Sequence, residues 1–170
     1  MTIEPADFDA AYFRSALGRF ATGVTVITTA SPDTQTPVGL TISSFNSVSL
    51  NPPMILWTLS RTAASLDAFI HSERYVVHVL AAQQLDLARR FATGPQADRF
   101  AGQTLAQAPG GTLMLDDQRC AAWFECYNHS RHQAGDHIIF IGQVERCHRR
   151  FVQPLVYHAG DFDLTPLTTD

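Results

Sequence analysis

Lysine is absent from this 170-residue chain, and all twelve of its basic residues are arginine. A pyridoxal Schiff base, a lysine-dependent aldolase and a P-loop lysine each need a side-chain amine, so those chemistries are excluded. Any phosphate the protein holds must be met by arginine, hydroxyls, backbone N–H groups or helix N-termini. No Gly-x-Gly-x-x-Gly occurs, so a nicotinamide cofactor would have to bind without a Rossmann domain. No run approaches the ~18 apolar residues of a membrane span. Met1-Thr2-Ile3-Glu4-Pro5 lacks the basic segment and apolar stretch of a targeting signal. Cys120, Cys126 and Cys147 are odd in number and too few for a secreted disulfide framework, which predicts reduced thiols in a cytoplasmic protein. Sixteen acidic residues against twelve basic ones leave a formal charge of -4. The arginines are scattered along the chain, so neither nucleic acid nor a membrane is an expected partner.

What is present suits one compact domain over residues 1–170. The 45% hydrophobic content supports one well-buried core, and the length is too short for two ordinary domains. Phe8, Tyr12, Ala16 and Phe20, with Phe13 and Leu17 beside them, predict a helix over residues 7–21 that Gly23 stops. β-Branched and apolar runs predict strands over 24–29, 38–43, 54–59 and 75–80. A helix capped by Ser60, Thr62 or both is expected through Ser72, another over 83–91, and a polar loop over 93–111. Runs 120–131 and 137–146 read as two strands joined by a turn at Gln133-Ala134-Gly135-Asp136. Short strands with few helices favour an antiparallel barrel over a doubly wound sheet.

The densest polar stretch runs from Thr41 through Ile42, Ser43, Ser44, Phe45, Asn46 and Ser47 to Ser49. Its hydroxyls and turn amides suit the N and O edge of a planar heterocycle, and they equally suit a plain hydroxyl-rich strand and turn. Ser60, Arg61, Thr62 and Ser65 form either a phosphate cradle at a helix start or ordinary caps. His137 stands at the hairpin mouth, where an imidazole can donate to a bound ring or simply be exposed. Asp136 and His137 make a poor catalytic pair, since adjacent strand residues point to opposite faces. Cys120, Cys126, His129 and His132 have metal-ligand chemistry but are strung too far along a strand for one ion, so no metal site is assigned.

Five stretches together resemble the flavin reductase family, the reductase components of two-component flavin monooxygenases. They are Phe20 to Val26, Gly39 to Pro53, Phe91-Ala92 with Asp98-Arg99-Phe100, Gly135-Asp136-His137 through Val144, and Pro154 to Gly160. The resemblance covers about residues 8–162 in family order. It implies an FMN-binding split β-barrel of Greek-key type, mainly β with flanking helices, working as a homodimer. It implies NADH or NADPH as hydride donor, FMN or FAD as acceptor, and a separate oxygenase that receives reduced flavin. By the same resemblance Thr41 to Ser47 surround the isoalloxazine and its ribityl chain, Ser60 to Ser65 meet the phosphate, and His137 lies beside the nicotinamide. Phe91, Arg99, Phe100 and Tyr157 fall in matching stretches and join the expected cofactor contacts. Arg99 departs from the lysine the family often has, which keeps the charge and changes the donor geometry. The competing reading is a split-barrel protein that stores or senses flavin, or holds haem, without turnover.

Overall fold

The computed structural model describes residues 7–163. Helix α1 (Ala10–Leu17) leads into β1 (Thr22–Gly23), followed by β2 (Thr25–Ala30), β3 (Pro37–Ile42), β4 (Asn46–Leu50) and β5 (Pro53–Ser60). Then come α2 (Leu66–His71), β6 (Arg74–Val79), α3 (Leu85–Ala92), α4 (Gln96–Phe100), β7 (Leu105–Gln107) and β8 (Leu113–Leu115). The long hairpin of β9 (Ala122–Ala134) and β10 (His137–Arg149) precedes β11 (Val156–His158) and β12 (Asp161–Asp163). The main sheet has the order β3-β2-β6-β9-β10-β5-β4 and all of its pairings are antiparallel.

That order forces curvature. β3 and β4 are consecutive in the chain, joined only by Ser43, Ser44 and Phe45, yet they occupy opposite edges of seven strands. Laid flat, the edges would stand about 29 Å apart at ~4.8 Å per strand, whereas the link reaches at most about 15 Å. The sheet therefore curls until its two edges meet at Ser43–Phe45.

Inside the curl, Trp57 is fully buried and stacks on Phe140 at 4.4 Å, its register partner across β5 and β10. Phe69 and Tyr75 meet it edge-on at 5.1 and 5.5 Å. Burying an aromatic side chain of this kind contributes about 1.5–3 kcal/mol. A second cluster, built on Val24, Val26, Leu87, Phe91 and Leu155, packs α3 against β2.

Several boundaries differ from the sequence reading. α1 is shorter than 7–21: Asp9 caps it by accepting from Tyr12 N at 2.7 Å, and Gly18 rather than Gly23 ends it. Gly23 lies in β1, paired with Val156. The helix expected from Ser60 or Thr62 starts only at Leu66, because β5 goes on pairing with β10 as far as Ser60↔His137. Tertiary pairing overrides the local capping signal there. Residues 93–111 are not a plain loop, since they carry α4 and the β7 half of a hairpin with β8.

α4 covers part of the outer edge of β3. Gln96 Oε1 accepts from Gly39 N at 2.9 Å, while Arg99 donates to Gly39 O at 2.8 Å and to Gly94 O at 3.0 and 3.1 Å. Only glycine fits at 39, where a Cβ would stand 2.8 Å from Phe91 Cε1 and 2.9 Å from Phe100 Cζ.

Candidate functional site

Where the two sheet edges meet, a cleft of about 590 Å³ opens. Thr41 to Ser44 form one wall, Thr58 to Ser60 and His137 another, and Arg89, Ala92, Tyr157 and Asp161 complete it. The backbone of β3 is the chemically active edge. Gly39 turns its N–H and C=O outward to α4, and the two-residue alternation of a strand turns the same groups of Thr41 outward as well. α4 covers the first position and the cleft lies at the second. An open strand edge offers an acceptor and a donor in one plane, which is what the heteroatom edge of a flavin ring needs.

The hydroxyls are largely committed elsewhere. Thr41 Oγ1 donates to Ala88 O at 2.7 Å, Ser44 Oγ bonds both backbone groups of Thr58, and Ser60 Oγ pairs with Thr62 Oγ1 at 3.0 Å. Among the described residues the Ser43 hydroxyl has no hydrogen-bond partner. The fit to a flavin therefore rests on backbone groups, Ser43 and the apolar flanks Ile42, Leu59 and Tyr157, rather than on a full row of hydroxyls.

The fold brings Thr41, Ile42, Ser43, Ser44, Ser60, His137 and Tyr157 together around this space. It sets the remaining candidates apart. Phe45 stacks on Phe124 at 5.7 Å, and Asn46 and Ser47 sit exposed on β4. Arg61 and Thr62 lie exposed just past β5, and Ser65 is buried without capping α2. Phe91 is fully buried, edge-on to Phe100 at 4.9 Å. Arg99 spends its guanidinium on backbone carbonyls, and partial burial lowers its pKa.

His137 and Asp136 meet after all: Asp136 lies in the turn outside β10, and its Oδ1 stands 2.8 Å from His137 Nδ1. The alternation of strand faces does not reach the turn residue. The bond to His137 holds the Asp136 carboxyl below its usual range. Cys120 lies before β9, and among the described residues no three His, Cys, Asp or Glu groups stand together as a metal site.

Sequence reasoning missed Arg89, Asp161 and a second lobe. That lobe, about 640 Å³, shares Ser43, Ser44, Tyr157 and Gly160 with the first and extends to Arg14, Arg19 and Phe20. Arg14, Arg19 and Arg89 are far apart in sequence, so nothing local could announce their convergence. The β11–β12 turn between the lobes holds Ala159 at φ 54 and Gly160 at φ 88. A left-handed alanine is a strained choice of the kind that collects at binding sites.

The profile of the Flavin reductase like domain matches residues 17–165. The chain is 38% identical over 155 residues to the stachydrine N-demethylase reductase subunit Stc3 of Rhizobium meliloti (strain 1021), covering 91% of this chain. The aligned stretch spans 66% of that relative, slightly under two thirds of its length. It is also 38% identical over 154 residues to the FMN reductase (NADH) SmoA of Agrobacterium fabrum, covering 88% of this chain and 83% of that protein. Among solved structures, the NADH:FAD oxidoreductase SgcE6 of Streptomyces globisporus C-1027, in complex with NAD and FAD fragments, superimposes with a TM-score of 0.84 at 30% identity. The superposition covers 95% of this chain and 96% of that one. With its curled antiparallel sheet and the cleft at the meeting edges, the chain belongs to the flavin reductase-like domain family.

Proposed function

We propose that the protein is an NAD(P)H:flavin oxidoreductase of the FMN-binding split-barrel type that supplies reduced flavin to a separate oxygenase. The observation that carries this reading is the open backbone edge of β3 at Thr41 facing His137 across a cleft of about 590 Å³. A bound flavin, FMN or FAD, supplies an acceptor for hydride from NADH or NADPH. The chain's part is positional. The β3 edge and Ser43 hold the polar rim of the ring system, while Ile42, Leu59 and Tyr157 cover apolar surface and displace water. His137 reaches the nicotinamide side, and Arg89 supplies positive charge near groups that carry phosphate or gain charge. Arg61 follows Ser60 in the chain and is exposed just past β5.

A homodimer fits the surface. α1 buries none of its residues, and Tyr12 and Phe13 are 70% and 49% exposed. Such an apolar helix face is what a second copy of this chain would cover. Within the described residues Cys120, Cys126 and Cys147 are free thiols, consistent with a reducing, cytoplasmic setting.

The test is an anaerobic mixture of protein, excess flavin and NADH or NADPH. Many equivalents of flavin bleached per protein support the reductase. At most one equivalent, or none, rejects it in favour of a storage or sensing role.

A further inference from the structure

The outer edge of β3 repeats itself. β3 is an edge of the seven-stranded sheet and pairs there with β2 alone. Its backbone groups that face away from β2 recur at every second residue, Pro37, Gly39 and Thr41, at intervals of about 6.7 Å. A full rung presents one N–H donor beside one C=O acceptor. A planar ligand whose polar rim reads only backbone cannot tell one such rung from the next, and a bare strand edge is prone to slippage of this kind.

The chain removes two of the three rungs. Pro37 has no N–H to donate. At Gly39 both groups are taken, since Gln96 Oε1 accepts from the nitrogen at 2.9 Å and Arg99 donates to the oxygen at 2.8 Å. Two side chains of α4 thus act as the neighbouring strand would. α4 is itself braced against α3: Arg90 donates to Ala101 O at 3.0 Å, and Phe100 meets Phe91 edge-on at 4.9 Å. At Thr41 the hydroxyl is held by Ala88 O at 2.7 Å, while the backbone N–H and C=O have no partner among the described residues.

We propose that α4 is a register stop: by filling the Gly39 rung, Gln96 and Arg99 leave Thr41 as the complete rung of β3 at which the polar rim of a planar heterocycle docks. Gln96 and Arg99 are positioning residues that act through the β3 backbone. The inference rests on the reading of the cleft as a flavin site, and it supplies the reason that the ring settles opposite His137. A slip of one rung would carry the ring about 6.7 Å along β3, far beyond the misplacement that hydride transfer tolerates.

Amide hydrogen exchange, read residue by residue by NMR with and without FMN, tests the stop. In the wild type the Gly39 N–H should be protected in both states and the Thr41 N–H only with FMN. The Gln96→Ala/Arg99→Ala variant clears the rung, so Gly39 should lose its protection without FMN and regain part of it when FMN is added. Two rungs of equal affinity would misplace half of the bound ring, so kcat should fall about twofold or more while FMN affinity stays within about threefold of the wild type. Gln96→Glu, whose carboxylate still accepts from Gly39 N, should keep the wild-type exchange pattern and kcat. If the double variant does not fold, Gln96→Ala alone is read in the same way. FMN that leaves Gly39 unprotected in the folded variant overturns the proposal, whether kcat is unchanged or FMN affinity collapses, because α4 would then serve only the stability of the edge. An unprotected Gly39 in the wild type overturns it as well. FMN that binds the wild type without protecting Thr41 refutes the docking rung itself, and a wild type that binds no FMN removes the flavin reading on which the stop depends.

Discussion

Ser44 completes a strand to which it does not belong: its Oγ accepts the Thr58 amide proton at 3.0 Å and returns its own proton to the Thr58 carbonyl at 3.3 Å. Backbone pairing of β4 with β5 ends at Asn46↔Leu56, so a side chain imitates the next rung of the ladder. The imitation fixes the bend between β3 and β4 and, with it, the wall of the cleft.

Ser44→Ala should therefore cost about 1–2 kcal/mol, from one orphaned amide and one orphaned carbonyl in a half-buried position. Urea unfolding measures that loss. Flavin affinity should fall at the same time, because the bend loses its anchor. A variant as stable as the wild type would show that water replaces the Ser44 hydroxyl at no cost.

His78 predicts a pH dependence of stability. Thr28 gives its only hydroxyl proton to Leu113 O at 3.0 Å, so the 3.1 Å contact between Thr28 and His78 is a bond donated by His78 Nε2–H. Burial pushes the His78 pKa down to about 4, against a weaker opposing pull from Asp117. The unfolded chain takes up this proton near its ordinary ~6.5, so the neutral native histidine stabilises fully above that value. The contribution is lost as pH falls from ~6.5 towards 4, up to roughly 3 kcal/mol. Urea midpoints of the wild type and His78→Gln, compared across that window, should show a shallower decline in the variant. Parallel declines would assign the acid sensitivity to other groups.

Arg99 predicts local rather than global loosening. Arg99→Ala removes the donor to Gly39 O and Gly94 O and should free α4 from the β3 edge at a cost of about 1–3 kcal/mol. Limited proteolysis should then cut within residues 94–102 much faster than in the wild type, while the far-ultraviolet dichroism barely changes. Arg99→Lys should restore only part of the protection, since one ammonium cannot reproduce the planar fork.

The strands that were legible in the sequence are those with dense β-branched runs, such as β2 and β6, and the β9–β10 hairpin with its Gly135-Asp136 turn. Their local propensity agrees with their place in the core. α2 was misjudged at its start because Ser60 and Thr62 have capping chemistry, while the deciding fact is that Ser60 pairs with His137 across 76 intervening residues. The site was legible as a stretch, Thr41 to Ser44, but not as a mechanism of recognition. Which hydroxyls stay free depends on Ala88 and Thr58, residues that a strand pattern does not connect to it. Arg99 looked like a ligand contact for the same reason: its carbonyl partners at Gly39 and Gly94 exist only once α4 folds onto β3.

The last prediction concerns His137. Its Nδ1 lies 2.8 Å from Asp136 Oδ1, and the carboxyl, kept ionised by that bond, accepts the Nδ1 proton and leaves Nε2 as the ring's other polar atom. The Asp136 side chain is 94% exposed, so the pair adds little to stability and acts mainly to orient the ring. An oriented Nε2 at the wall of the cleft can accept from the carboxamide of a nicotinamide, whereas hydride transfer itself requires no proton from it. His137→Ala should lower the rate of NAD(P)H-dependent flavin reduction by about tenfold or more, as expected for one lost positioning contact. Flavin affinity should change little. Asp136→Asn should lose less, because the amide oxygen still accepts from Nδ1 and keeps the ring in place. Anaerobic stopped-flow reduction beside a flavin titration separates the possibilities: an unchanged rate together with a large loss of flavin affinity would move His137 to the flavin side and refute this role.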